Sequence, residues 1–136
     1  MFAVFVLLLI AAIISTIASA IGKLPLWIAV AFLGSALAKK MTEDFGSYEA
    51  WEKDFKTTGS MRGIGWTVLY QDSVAGKLYN FWINEHDVSH PAGCNPILIL
   101  DVFEHAFMID YGLKRADYVE AFFKNIDWKS LEGRVK

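Results

Sequence analysis

Three histidines, His86, His90 and His105, are the only imidazoles in the 136-residue chain, and one of them has a carboxylate at a telling spacing. Asp101-Val102-Phe103-Glu104-His105 follows the apolar run 96–100 and leads into a segment with helical spacing. An aspartate at a strand end and a histidine four residues on, in the first turn of a helix, can emerge on one side. Oxygen plus imidazole ligation suits iron, manganese or zinc. The same spacing also fits an ordinary strand-end Asp beside a half-buried His. Glu104 reads as a hydrogen-bonding partner or a surface carboxylate. Phe103, Phe107 and Tyr111 form an aromatic stripe better suited to a core than to a cofactor box. The single cysteine, Cys94, excludes an internal disulfide framework and any CxxC metal site.

The elements that must position these residues can be read from periodicity. Gly46 and Ser47 suit the end of one helix and the N-cap of the next, with Tyr48, Trp51 and Phe55 at i, i+3, i+7 as an amphipathic stripe ending near Gly59. Runs 66–70 and 78–83 are rich in β-branched and aromatic residues and bracket Asp72 and Gly76-Lys77, which predicts a hairpin. The continuous apolar run 96–100 predicts a third, fully buried strand. Helical spacing returns from Phe103, opens again at Arg115-Ala116-Asp117, and starts a last time near Asp127-Trp128. Helices, then three strands, then helices describe an α+β domain, a three-stranded antiparallel sheet flanked by helices.

Charge divides the chain into residues 1–34, a hydrophobic extension, and 35–136, the domain. Of the first 38 residues 30 are apolar and one, Lys23, is charged, whereas the last 98 carry the other 27 charges. Residues 2–21 contain no charge and would span about 30 Å as a helix, the thickness of a bilayer core. A retained membrane anchor is the expected reading. A cleaved signal, suggested by Ala18-Ser19-Ala20, and a buried soluble helix are the alternatives. A second apolar helix is predicted from residue 25 to about 44, so one or two spans precede the domain. Lys39-Lys40 then place residues 39–136 on the cytoplasmic or matrix side, at a mitochondrial inner or prokaryotic plasma membrane. No Lys/Arg cluster exceeds two residues, which argues against a nucleic-acid partner.

The heptapeptide Asp101-Val102-Phe103-Glu104-His105-Ala106-Phe107 resembles the Asp-x-Trp/Phe-Glu-His-Ala-Tyr-Tyr signature of iron/manganese superoxide dismutases. Gly63-Ile64-Gly65-Trp66 resembles that family's Gly-x-Gly-Trp strand. Further segments from Ala36 to Lys56, from Asp110 to Tyr118 and over Asn125-Ile126-Asp127-Trp128 resemble its C-terminal domain in order, across about 100 residues, 35–136. The resemblance implies that fold, iron or manganese as the metal, and Asp101 and His105 as two of four protein ligands. It places His86 where the family has a Gln or His that orients metal-bound solvent, and gives Glu104 a bond across a dimer interface to the ligand His of a second superoxide dismutase-like chain. The family's two remaining histidine ligands lie on an N-terminal helical hairpin, and residues 1–34 contain no His. His86 and His90 are weak candidates to replace them. Phe103 stands at a position usually Trp, and Phe107-Met108 at the Tyr-Tyr pair. The expectation is therefore a membrane-tethered, degenerate superoxide dismutase-like accessory subunit, with a structural or assembly role in a membrane complex of the respiratory type. Its partners would be other membrane subunits contacted through residues 1–38, and iron or manganese would be held weakly or not at all. The competing expectation is an active membrane-bound superoxide dismutase yielding oxygen and hydrogen peroxide.

Overall fold

The computed structural model describes residues 35–136. The helix predicted over 25–44 is represented there by α1, Ala36–Phe45, and it has its own start: Ser35 is extended (φ −80°, ψ 158°) and its hydroxyl accepts from the Ala38 N–H. A residue that caps in this way cannot also continue a helix through from residue 25. The apolar run 2–21, and the start of the second one, lie outside the described residues. Among the described residues no helix is long and apolar enough to cross a membrane.

Helix α1 ends at Gly46, whose φ of +89° matches the expected left-handed terminator, and the Ser47 hydroxyl caps α2, Tyr48–Gly59, by accepting from Ala50 N–H. Strand β1, Trp66–Asp72, turns through Gly76 into β2, Leu78–Ile83, as the hairpin reading expected. Strand β3, Cys94–Asp101, pairs antiparallel with the other side of β1, so the sheet order is β2-β1-β3. Helices α3, Glu104–Tyr111, α4, Arg115–Lys124, and α5, Trp128–Glu132, complete the α+β domain.

The core lies between the sheet and the helices. Trp51 and Phe55 are fully buried, and Trp51 sits within 5.4–6.0 Å, centroid to centroid, of Tyr48, Phe55, Phe123 and Trp128. Its indole N–H is not left dry: it donates to Asn80 Oδ1 on β2 at 3.1 Å, which locks α2 to the sheet. Truncating so large a buried ring costs about 3–5 kcal/mol. The third strand corrects an expectation. It is an edge strand, and although Ile97, Leu98 and Leu100 are buried, Ile99 is 44% exposed. A continuous apolar run signals burial on both faces only in a sheet covered on both sides. Here Ile99 emerges on the side opposite its buried neighbours.

Candidate metal centre

Three strand ends converge at the site. Trp66, the first residue of β1, is paired with Ile83 at the end of β2 and with Asp101 at the end of β3. The Val102 N–H donates to the Gly65 carbonyl at 2.9 Å, so β3 stays pinned to β1 one residue past the ladder. Gly65 is where the backbone demands glycine: its φ is +137°, and a Cβ there would stand 2.0 Å from the Ile83 carbonyl oxygen.

Asp101 then divides its two oxygens. Oδ1 accepts from the Phe103 N–H at 2.9 Å, a side-chain turn that fixes the carboxylate and leads the chain into α3. Oδ2 lies 3.2 Å from His105 Nε2. One helical turn thus brings the carboxylate and imidazole of the sequence reading together. The His105 side chain is 66% exposed, so the pair is open on its outer side and contributes little to stability as an ion pair.

Aromatic rings hold the imidazoles in place. His86 stacks on Phe103 at 4.7 Å with the planes 19° apart, and His105 stacks on Phe103 at 5.5 Å and 10°. The Trp66 ring meets both Phe103 and His86 edge-on at 5.9 and 5.6 Å. Trp66 Nε1 donates to His86 Nδ1 at 3.2 Å. An indole nitrogen can only donate, so the neutral His86 ring carries its proton on Nε2. Tyr118 also feels the site: burial first, then the nearby Asp101 carboxylate, pushes its hydroxyl above the ordinary phenol range and keeps it a neutral donor.

His90 is elsewhere. Its Nδ1 lies 2.7 Å from the hydroxyl of Tyr70, four residues beyond Trp66 on β1, and its Nε2 lies 3.1 Å from the His86 carbonyl oxygen. Neither His86 nor His90 is brought to Asp101 and His105 as a ligand. Among the described residues no group of three or more His, Cys, Asp or Glu side chains is placed to hold an ion. Glu104 is exposed in the first turn of α3 and borders a groove with Ile64, Met108 and Arg115. Sequence reasoning missed Trp66 and Tyr70 as partners of the loop histidines. The matched separations, 66 to 86 and 70 to 90, become visible only once the loop is seen to run beside β1.

The donor set fits a first-row transition metal. One carboxylate oxygen and one imidazole nitrogen 3.2 Å apart have the spacing of neighbouring ligands on a single ion, whose bonds are about 2.0–2.2 Å long. The open outer side leaves room for further ligands. A shell of two protein ligands is incomplete, and residues 1–34 contain no His, Asp, Glu or Cys to extend it.

Comparison with known proteins gives this geometry a family. The sequence profile described as iron/manganese superoxide dismutases, C-terminal domain, matches residues 33–134. The chain is 46% identical over 101 residues to manganese superoxide dismutase 2 of Haloferax volcanii, covering 74% of this chain and 50% of that protein. It is 41% identical over 105 residues to the iron superoxide dismutase of Cupriavidus metallidurans, covering 75% and 52%. It is 38% identical over 104 residues to the iron superoxide dismutase of Saccharolobus solfataricus, covering 76% and 49%. The chain spans about half the length of the curated relatives it matches. Through its C-terminal domain, the chain belongs to the iron/manganese superoxide dismutase family.

Proposed function

We propose that the chain supplies the carboxylate–imidazole half of a superoxide dismutase centre, binding iron or manganese through Asp101 Oδ2 and His105 Nε2, with dismutation of superoxide as its activity. The observation that carries this reading is the 3.2 Å approach of those two atoms at the convergence of three strand ends, in a chain whose relatives are named as iron and manganese enzymes. The reaction converts two superoxide ions and two protons into one oxygen and one hydrogen peroxide. A bound iron or manganese ion would supply the one-electron exchange, accepting an electron from one superoxide and returning it to the next. The chain's own residues bind and orient. Asp101 is held by the Phe103 N–H, His105 by its stack on Phe103, and His86 offers an Nε2–H donor fixed by Trp66. The remaining ligands would come from outside this sequence.

Three further parts of the reading are proposals on the same footing. Residues 2–21 anchor the domain to a membrane, on the strength of their length and lack of charge. Residues 1–38 contact other membrane subunits. Exposed Glu104, beside His105, docks a second superoxide dismutase-like chain.

A catalytically silent, architectural role is the second reading, and one observation favours it: no third ligand stands near Asp101 and His105 among the described residues. Metal content and superoxide removal, measured on the full chain purified in mild detergent, separate the two. Retained iron or manganese, with superoxide removal that falls to background in Asp101→Ala and His105→Ala, supports the enzyme. Metal retained without superoxide removal supports the silent reading. Absence of both metals refutes the proposed centre.

A further inference from the structure

The loop from 84 to 93 carries two histidines on one side of the sheet, yet Asn84 through His90 are all exposed, so core packing does not hold it. Specific contacts do. Trp66 and Tyr70 are four residues apart on β1 and therefore share a face of the sheet. They engage His86 and His90, four residues apart on the loop. Tyr70 is a fixed post, 4% exposed and packed edge-on against Phe81 at 5.8 Å. His90 Nε2 faces a carbonyl oxygen, which can only accept, so the neutral ring carries its proton there and Nδ1 receives the Tyr70 hydroxyl proton. Ser89, immediately before His90, is the one non-glycine described residue with positive φ, +66°. The far end of the loop is tied by the Ser73 N–H, which donates to the Gly93 carbonyl at 3.0 Å.

We propose that Tyr70 and His90 are positioning residues for His86. The relay from Tyr70 O–H to His90 Nδ1, and from His90 Nε2–H to the His86 carbonyl, fixes the loop so that the His86 ring remains on Trp66 and Phe103. The relay acts on the backbone of His86 while Trp66 acts on its ring, so position and tautomer are set by different residues of one strand. The role assigned to His86 rests on the proposed dismutase centre; the positioning itself does not.

The test reads the Trp66 indole N–H by nuclear magnetic resonance in the full chain in detergent, without added metal, with the signal assigned by Trp66→Phe. In Tyr70→Phe and in His90→Ala the Trp66 indole signal moves toward its solvent-exposed position. Its exchange with solvent quickens about two- to tenfold, the effect of losing one net hydrogen bond. His90→Gln, whose carboxamide can both accept and donate, restores the signal. The Trp51 and Trp128 indoles, in the core, stay where they are. An unmoved Trp66 signal in Tyr70→Phe and His90→Ala overturns the proposal. Equal movement of the Trp51 and Trp128 signals assigns the effect to the fold as a whole and overturns it too. Iron and manganese content of the same proteins decides separately on the dismutase centre: a protein that holds neither metal but shows the Trp66 response keeps the relay and loses the centre.

Discussion

Replacing Gly65 with alanine strikes the point where all three strands meet at the site, and its consequence can be worked from the geometry. The added Cβ would stand 2.0 Å from the Ile83 carbonyl oxygen, 3.0 Å from its carbon and 3.1 Å from Asn84 Cα, all backbone atoms that no rotamer change can move aside. The φ of +137° adds the strain of a conformation that L side chains rarely adopt. Backbone strain of about 1–2 kcal/mol and a forced displacement of about 1–3 kcal/mol together give a loss of about 2–5 kcal/mol. For a domain of this size that lowers the melting temperature by about 10–30 °C. Gly46→Ala is the control. Its φ of +89° is also positive, but nothing lies within 4 Å of the added atom, so only the conformational part applies, about 1–2 kcal/mol. Thermal unfolding followed by circular dichroism compares the two. Because the Gly65 carbonyl receives the Val102 N–H, the larger loss should also be accompanied by weaker metal binding at Asp101. A Gly65→Ala protein no less stable than Gly46→Ala refutes the close-approach argument.

Other substitutions probe the frame around the site. Arg115 donates to the carbonyls of Met61 and Gly63, both at 2.7 Å; Arg115→Ala should lower urea stability by about 1–2 kcal/mol, and Arg115→Lys should recover only part, since an ammonium lacks the two-pronged fork. Gln71 is 2% exposed and bonds Gly76 O, Lys136 O and Lys136 N; Gln71→Met strands those backbone groups and should cost about 1–3 kcal/mol in the same assay. The Asp72 carboxyl is held below its ordinary range by the Ala75 and Val74 N–H groups. Its folded value lies under the unfolded value of about 3.9, so its contribution is complete above that pH and disappears as pH falls through the folded value. The stability gap between the natural protein and Asp72→Ala, followed by urea unfolding from pH 6 downward, should therefore narrow below about pH 4; a gap that widens there would contradict the assignment.

Local signals were the legible ones. Ser47, Gly46, the Tyr48/Trp51/Phe55 stripe and the turn at Gly76 each depend on residues within a few positions, and each falls where the sequence reading put it. The Asp101–His105 approach was legible for the same reason: strand end, side-chain turn and first helical turn are all contained in five residues. Ile99 was misread because an apolar run does not reveal which strand lies at a sheet edge. Ser35 was overlooked as a helix start because the apolar pattern runs on across it. The resemblance placed His86 beside the site, but the contacts that fix His86 and His90 were not legible, since each partner lies 20 residues earlier on β1.

Manganese(II) broadens the nuclear magnetic resonance signals of nuclei near it, and so it locates its own binding site. Titrated into the full chain in detergent, it should first broaden the signals of Asp101, Phe103, Glu104 and His105, and this pattern should vanish in Asp101→Ala and in His105→Ala. Broadening that begins elsewhere, or that persists unchanged in both variants, would contradict the assignment of Asp101 and His105 as the metal-binding half-site.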